Sequence, residues 1–167
     1  MTESNKPINF SAKNEKAPID DLSDIKGKIS DLVNGQLFGV LCTQADGQPY
    51  GSMIGFAFSD DLKYAVFSTP RATRKYKNLT QCPNVSLVVN NREKNPYELM
   101  KIQAFTAIGS AEEIIDKKEH SRWSKLLLSR QSCLKKFLES PTTALFRIQI
   151  SRYFFVSYFQ DVREWAP

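Results

Sequence analysis

Residues 64–90 read YAVFSTPRATRKYKNLTQCPNVSLVVN, and the interpretation of the whole chain depends on this stretch. It consists of an apolar run, a basic turn, a short polar segment and a second apolar run. No acidic residue occurs between Asp61 and Glu93, whereas that interval contains the cations Lys63, Arg71, Arg74, Lys75, Lys77 and Arg92. A positive window of this length predicts an anionic ligand, and the alternative is a solvated basic helix face.

The basic turn is expected to connect a strand to a helix. The run 64–68 is rich in β-branched and aromatic residues, which predicts a strand, and Pro70 indicates that the chain leaves the sheet there. Thr73 can cap a short helix that begins directly afterwards. The unpaired N–H groups of that helix would then lie beside Arg74 and Lys75, an arrangement that favours a phosphate group.

This segment resembles the pyridoxamine 5'-phosphate oxidase-like family of FMN-binding split β-barrels. The family pattern is strand, Ser/Thr, turn, [ST]-R-K, helix, N-P-x-V-S-L and strand. The corresponding residues here are Ser68-Thr69, Thr73-Arg74-Lys75 and Cys82-Pro83-Asn84-Val85-Ser86-Leu87. The resemblance extends over residues 35–165, and it implies that the FMN phosphate and ribityl chain are held by Ser68, Thr69, Thr73, Arg74 and Lys75.

The resemblance also implies contacts with the flavin ring. Three residues of one strand would meet the ring largely through main-chain atoms: Ser52, Met53 and Ile54. Gln103 would face the polar edge of the flavin, and Trp165 would belong to a terminal segment beside a partner's flavin. Gly51 and Gly55 flank the ring-contacting residues, and they either allow a ligand to come close or ease a bend in the barrel.

The remaining pattern predicts a mainly β fold, a β-barrel with flanking helices, as a split β-barrel of antiparallel strands. Strands are predicted at 38–43, 50–58, 63–68, 85–90, 100–114 and 144–159, and helices at 20–35 and 116–139. The first three strands are joined by tight polar turns, including Ala45-Asp46-Gly47, and should form an antiparallel meander. No helix separates them, which argues against a Rossmann fold.

Composition restricts the class of protein. A chain of 167 residues with 41% hydrophobic content suits one domain, here 19–167, after a polar arm at 1–18. Cys42, Cys82 and Cys133 form no C-x-x-C pair, which argues against a disulfide framework and favours a reducing compartment. We expect cytoplasmic localisation and no membrane binding, because no apolar run approaches the roughly 18 residues of a membrane span.

The single histidine and the character of the basic surface argue against further classes of function. With only His120 available, a multi-histidine metal site within one chain is excluded. Nucleic-acid binding is not expected, because the basic turn lacks the exposed aromatic platform that such surfaces use. The aromatic residues near 153–159 offer more apolar surface than one small barrel can cover, which predicts a homodimer with FMN at its interface.

The leading hypothesis is an FMN-binding flavoprotein that acts as an oxidoreductase on a small molecule, by hydride transfer through flavin N5. FMN is expected rather than FAD or NAD, because the chain offers one phosphate site and no G-x-G-x-x-G. Pyridoxamine 5'-phosphate is not the expected substrate, since residues 161–165 lack the family's R-x-H type motif. The alternative is a non-enzymatic module of the same fold that stores flavin, or that binds haem through His120.

Overall fold

The architecture comes from a computed structural model that describes residues 22–94, 97–158 and 161–167. The predicted polar arm at 1–18 lies outside the described residues, as do the first residues of the predicted helix 20–35 and Phe159 of the predicted last strand. Within the described ranges, none of the helices is both long and apolar enough to cross a membrane.

One antiparallel sheet forms most of the molecule. Its strands are β1 (Phe38–Ala45), β2 (Gln48–Gly55), β3 (Ala57–Phe58), β4 (Tyr64–Pro70), β5 (Asn84–Asn90), β6 (Ala104–Glu113), β7 (Thr143–Ser157) and β8 (Asp161–Trp165). The helices are α1 (Leu22–Gly35), α2 (Arg74–Gln81), α3 (Lys117–Arg130) and α4 (Lys135–Leu138). Short 3₁₀ turns occupy Arg92–Lys94, Leu99–Lys101 and Ser132–Leu134.

The strand order is β2-β1-β5-β6-β7-β4-β3, with β8 paired to β7. The two end strands, β2 and β3, are consecutive in the chain and joined only at Phe56, so the sheet curls back on itself. Strands β2 and β4 contact each other without belonging to one ladder. The sheet is therefore an incompletely closed barrel, which confirms the predicted mainly β, split-barrel fold.

An aromatic cluster fills the interior of this barrel. Phe58 packs edge-on against Phe56 and Phe105, with ring centroids 5.5 and 5.9 Å apart. Tyr153 lies 5.5 Å from Phe105, and its buried hydroxyl donates a 2.6 Å hydrogen bond to the Leu62 carbonyl. Because a buried hydroxyl needs a partner, this bond fixes the loop before β4 against β7.

Helix α1 covers one part of the barrel, as its apolar periodicity predicted. Ile25, Ile29 and Leu32 are buried in the main core. The C-terminal end of α1 is bound by a side chain from α3, because Nη2 of Arg130 lies 2.7 Å from the Val33 carbonyl and 2.9 Å from that of Gln36. A guanidinium group thus satisfies carbonyls that a helix end otherwise leaves without partners.

The β1–β2 hairpin turn has the predicted position. Asp46 and Gly47 both have positive φ, 52° and 76°, which is the geometry of a tight two-residue hairpin turn. The predicted meander is only partly correct. The strand expected at 50–58 is interrupted at Phe56, whose side chain is fully buried, and β2 then pairs with β1 whereas β3 pairs with β4.

Three other predicted boundaries were wrong. The strand expected from residue 100 begins at Ala104, because Leu99–Lys101 form a 3₁₀ turn. The helix expected at 116–139 ends at Arg130, since the Gln131 side chain turns to bind the Leu37 carbonyl at 2.8 Å. The last strand ends at Ser157, where Tyr158 adopts a φ of 46° before the chain returns as β8.

Candidate functional site

The predicted strand-to-helix turn is present, and hydroxyl groups organise it. Thr73 is the N-cap of α2, and its Oγ1 accepts a 3.3 Å hydrogen bond from the Tyr76 N–H. The same Oγ1 lies 3.0 Å from Oγ1 of Thr69 and 2.9 Å from the Pro70 carbonyl. The two predicted threonines are thus brought together, and they hold the first turn of α2 in place against the end of β4.

Lys75 lies in that first turn and is half-buried. Among the residues that the structure describes, no carboxylate or hydrogen-bond acceptor is paired with its ammonium group. Burial lowers the pKa of Lys75 below its ordinary value, because loss of hydration penalises the charged form. A half-buried cation without a counter-ion is the kind of group that an anionic ligand would stabilise.

Arg74 connects this turn to β2. Its guanidinium carbon lies 5.1 Å from the centre of the Tyr50 ring, within the range of a cation–π contact. The side chain is otherwise exposed, so its N–H groups remain available for bidentate contact with a phosphate. The sequence did not identify Tyr50 as a neighbour of the site, because a single tyrosine near the start of a strand does not show which residue packs on its ring.

Arg71 is not available in the same way. One of its nitrogens lies 2.5 Å from Glu113 of β6, and another donates a 2.8 Å hydrogen bond to the Tyr76 hydroxyl. Hydrogen bonding to Glu113 raises the pKa of Arg71. The counter-ion of Arg71 therefore comes from β6, outside the acid-free interval 62–92. The sequence did not identify Glu113 and Tyr76 as neighbours of the site.

We call the gap between β2 and β4 the β2/β4 opening; Ser52 lies on one side of it, and Thr69 with the first turn of α2 lies on the other. Along β2, the side chains of Tyr50 and Ser52 share the face that Arg74 covers. The Oγ of Ser52 is buried and has no hydrogen-bond partner. Buried hydroxyls are normally satisfied, so this orphan group is one that a polar ligand atom could pair with.

The other predicted residues of β2 and β4 point in different directions. Ile54 is buried in the core, whereas Met53 lies on the outer face with 68% of its surface exposed. Ser68 is half-buried without a hydrogen-bond partner in the described part of the chain, and Thr69 faces the opposite side of β4. A ligand at the opening would therefore meet Met53, Ile54 and Ser68 mainly through main-chain atoms.

The two glycines of β2 have different explanations. A Cβ atom at Gly55 would lie 2.1 Å from Oε1 of Gln131, so this glycine allows a side chain of the protein to come close. A Cβ atom at Gly51 would meet only Val40, at an ordinary 3.5 Å. Gly55 thus has a packing role, whereas a side chain at Gly51 would fit without a clash.

Gln103 and Trp165 are not brought together with the other predicted residues. Ser68 pairs with Leu145 near the start of β7, whereas Ala104, next to Gln103, pairs with Val156 near its end. That separation is roughly 35 Å of extended strand. Trp165 pairs with Tyr153, roughly 25 Å along β7 from Leu145, and its ring packs 5.3 Å from the Tyr153 ring.

Four cations near β6, β7 and β8 that were candidates for a second phosphate site are neutralised by carboxylates. Lys101 pairs with Glu98 at 2.5 Å, and Arg152 pairs with Glu164 at 2.9 Å. Arg147 binds Glu112 and Glu119, and Arg163 binds Asp161. Among the described side chains, no cluster of three or more His, Cys, Asp or Glu residues could hold a metal ion.

An apolar row crosses the outer face of the sheet. It consists of five side chains that are neighbours across successive strands: Met53, Val40, Val88, Thr106 and Phe154. Phe38, beside this row, is 56% exposed. A row of this kind on an exposed sheet face is typical of a surface that another molecule covers.

Comparison with known proteins agrees with this architecture. A family model described as Pyridoxamine 5'-phosphate oxidase matches residues 25–157. No curated protein matches the chain by sequence. Among solved structures, general stress protein 26 from Bacillus anthracis superposes with a TM-score of 0.64 and 20% identity, covering 86% of this chain and 98% of that protein.

Two further structures show the same fold. A haem-binding protein from Mycobacterium smegmatis has a TM-score of 0.73 and 14% identity, covering 84% of this chain. This chain spans 57% of the length of that protein. An FAD-binding protein from Mesorhizobium loti has a TM-score of 0.62 and 20% identity, covering 77% of this chain and 91% of that protein.

Proposed function

The chain belongs to the pyridoxamine 5'-phosphate oxidase family, and we propose that it binds FMN at the β2/β4 opening and acts as a flavin-dependent oxidoreductase. The observation that carries this proposal is the half-buried Lys75, whose ammonium group has no counter-ion within the described residues. Arg74, exposed beside it, can add two parallel hydrogen bonds to a phosphate. The orphan hydroxyl of Ser52 gives a further polar contact for the ligand.

The residues present fit a flavin mononucleotide. Lys75 and Arg74, with the N–H groups at the start of α2, would hold its phosphate. Main-chain groups on the free edge of β2, from Ser52 to Ile54, would lie along its ring. When bound, the flavin supplies hydride transfer at N5, and the protein contributes placement and exclusion of water.

The phosphate assignment is tested with Arg74→Ala/Lys75→Ala. We expect this double variant to keep its circular dichroism spectrum but to lose FMN binding by about a hundredfold, because two charge-assisted contacts disappear. Lys63→Ala/Lys77→Ala is the matched control, since both lysines are exposed and belong to the same basic interval. FMN affinity in the Arg74/Lys75 variant within a few fold of the unaltered protein would contradict the proposal.

The substrate is expected to be a small molecule other than pyridoxamine 5'-phosphate. Binding a second phosphate next to the flavin would require free cations, because a dianion loses hydration in a partly buried site. Arg147, Arg152 and Arg163 are each occupied by carboxylates. This pairing supports a nicotinamide-type or other small electron donor over the substrate for which the family is named.

The functional unit is proposed to be a homodimer with FMN at the interface. The apolar row on the outer sheet face would be covered by the second copy, burying about 2,000 Å² or more as permanent dimers do. Gln103 and Trp165 lie toward the end of β7 opposite the turn that precedes Lys75. We infer that these two residues reach the flavin of the partner copy.

A competing proposal is a non-enzymatic module that stores flavin or binds haem, as a relative in fold does. His120 would be its iron ligand, and its Nδ1 lies 3.3 Å from Oγ of Ser124, which leaves Nε2 for a metal. The absorption spectrum of the protein as purified separates flavin from haem: flavin bands support a flavoprotein, and a Soret band that disappears in His120→Ala supports the haem-binding module. Cytoplasmic localisation stays a proposal, consistent with the free thiols of Cys42, Cys82 and Cys133.

A further inference from the structure

An open cavity of about 590 Å³ lies between α3 and α4, lined by none of the residues of the β2/β4 opening. Its walls are apolar where Leu128, Leu138 and Ile115 contribute. Leu138 is buried in a second core cluster with Trp123 and Leu127, so this wall is anchored to the packed interior. A cavity of this size lies in the range of small-molecule sites.

The rim of the cavity is strongly positive. Lys117, Lys125 and Lys135 line it, opposed by the single carboxylate of Glu139. None of these three lysines forms an ion pair or side-chain hydrogen bond with any residue in the described parts of the chain. His120, Ser121 and Ser124 add groups that can donate hydrogen bonds at the same place.

Other cavities of the protein differ in this respect. The cavity of about 630 Å³ on the outer sheet face, which includes Cys42 and Ser110, is lined by no charged side chain. The cavity beside Trp123 is lined by the carboxylates of Asp60 and Asp61 as well as by the guanidinium group of Arg122, so it has no excess of positive charge. Only the α3/α4 cavity, among these three, combines unpaired cations with an apolar wall.

We propose that the α3/α4 cavity binds an organic anion with an apolar body and a carboxylate head. The apolar part would cover the exposed Ile115 and the half-buried Leu128, beside the buried Leu138. The carboxylate would lie among the lysines, where it relieves the repulsion between three nearby like charges. The inference goes beyond the flavin function and does not depend on it.

The test uses the whole purified protein and dodecanoate, kept below its micelle concentration, as the probe. Binding is measured by calorimetry and by the ring resonances of His120, which is the only histidine in the chain and therefore a unique reporter inside the cavity. We expect saturable binding with a dissociation constant below about 1 mM and a shift of the His120 signals. Dodecyltrimethylammonium, with the same chain and opposite charge, should bind at least about tenfold more weakly.

Two double variants separate the cavity from general electrostatic attraction. Lys125→Gln/Lys135→Gln removes one cavity lysine from each helix, and we expect it to weaken dodecanoate binding about tenfold or more. Lys118→Gln/Lys136→Gln removes one exposed lysine from each of the same helices, outside the cavity, and should change the affinity less than about twofold. The circular dichroism spectrum serves as the check that both variants are folded.

Three results would overturn the proposal: no saturable binding of dodecanoate below about 1 mM, equal weakening in the two double variants, or equal binding of the cationic analogue. The second result would assign the affinity to net charge alone. The third would assign it to the apolar wall alone.

Discussion

Lys75 is kept charged in a place where the folded chain gives it no counter-ion among the described residues. Its lowered pKa reflects this cost, which the flavin-free protein bears and which a bound phosphate would relieve. A residue that destabilises the empty protein and stabilises the loaded one makes stability depend on the ligand.

Replacing this lysine should therefore separate stability from binding. We expect Lys75→Met to raise the free energy of unfolding of the flavin-free protein at pH 7, because the uncompensated charge is gone, and to weaken FMN binding about tenfold or more. Urea denaturation and fluorescence titration measure the two effects. Lys77→Met, on the exposed side of the same helix, should change neither, and a Lys75→Met protein that binds FMN normally would contradict the assignment.

The stability gain should also depend on pH. Because the folded-state pKa of Lys75 lies below 10.5, the unfolded chain binds more protons, and the stability of the unaltered protein rises with pH in the interval up to that value. The difference between the unaltered protein and Lys75→Met should therefore be largest at neutral pH and shrink as the pH approaches 10.5. A difference that stays constant over this interval would show that burial of the charge is not its cause.

At the scale of elements, α1 is attached to the barrel by an interaction between helices. Nη2 of Arg130, at the end of α3, contacts the carbonyls of Val33, Asn34 and Gln36 at the end of α1. These acceptors would otherwise lack partners, because the last carbonyls of a helix have none within the helix. Arg130 thus fixes the position of α1 relative to α3.

We expect Arg130→Ala to lower the free energy of unfolding by about 2–3 kcal/mol, because several partly buried carbonyls lose a charged donor. Arg130→Lys should recover part of the loss, since an ammonium group can reach fewer of these carbonyls. Lys118→Ala, exposed in the first turn of the same helix, should change stability by less than about 0.5 kcal/mol. Chemical denaturation measures all three, and an Arg130→Ala protein as stable as the Lys118→Ala control would refute the role.

The sequence predicts those elements whose cause is local. The positive φ angles at Asp46 and Gly47, the Thr73 cap and the β-branched and aromatic content of β4 each depend on residues within a few positions of one another. The interruption of the strand at Phe56 depends instead on which neighbours β2 and β3 find across the barrel. No local pattern contains that information, because the competing pairings differ only in distant partners.

The candidate site also has one part that depends on local sequence and another that depends on packing between distant residues. The proposed phosphate-binding turn, with Thr73, Arg74 and Lys75, is a continuous segment, so a sequence motif could predict it. The pairing of Arg71 with Glu113 joins residues far apart in sequence, and the unsatisfied hydroxyl of Ser52 is a property of packing alone. Neither feature can be deduced from the sequence.

For the whole molecule, the turn at Lys75 and Gln103 lie toward opposite ends of β7, and we propose that the site is completed by a second chain. The turn at Lys75 lies near the start of β7, and Gln103 lies near its other end. If each flavin contacts Lys75 of one copy and Gln103 of the other, a dimer contains two composite sites. A chain that lacks one of these two residues can then be complemented by a chain that lacks the other.

We expect Lys75→Ala and Gln103→Ala to bind FMN poorly as separate homodimers. When the two are unfolded together and refolded as a mixture, each heterodimer should contain one intact site, so that about a quarter of all sites recover. Flavin retained after gel filtration measures this recovery. A mixture that binds no more FMN than the average of its components would place both residues in the same chain's site or outside it.

The free edge of β2 also affects the tendency of the chain to aggregate before a ligand or a partner binds. A strand with one edge free of ladder bonds can recruit a strand from another unfinished chain, and so begin aggregation. Pro49 lies in this edge strand and has no N–H to donate, which makes the start of β2 a poor template for such pairing. Gly51 and Gly55 lower its β-propensity further, so the strand that leaves space for a ligand also carries residues that discourage addition of a foreign strand.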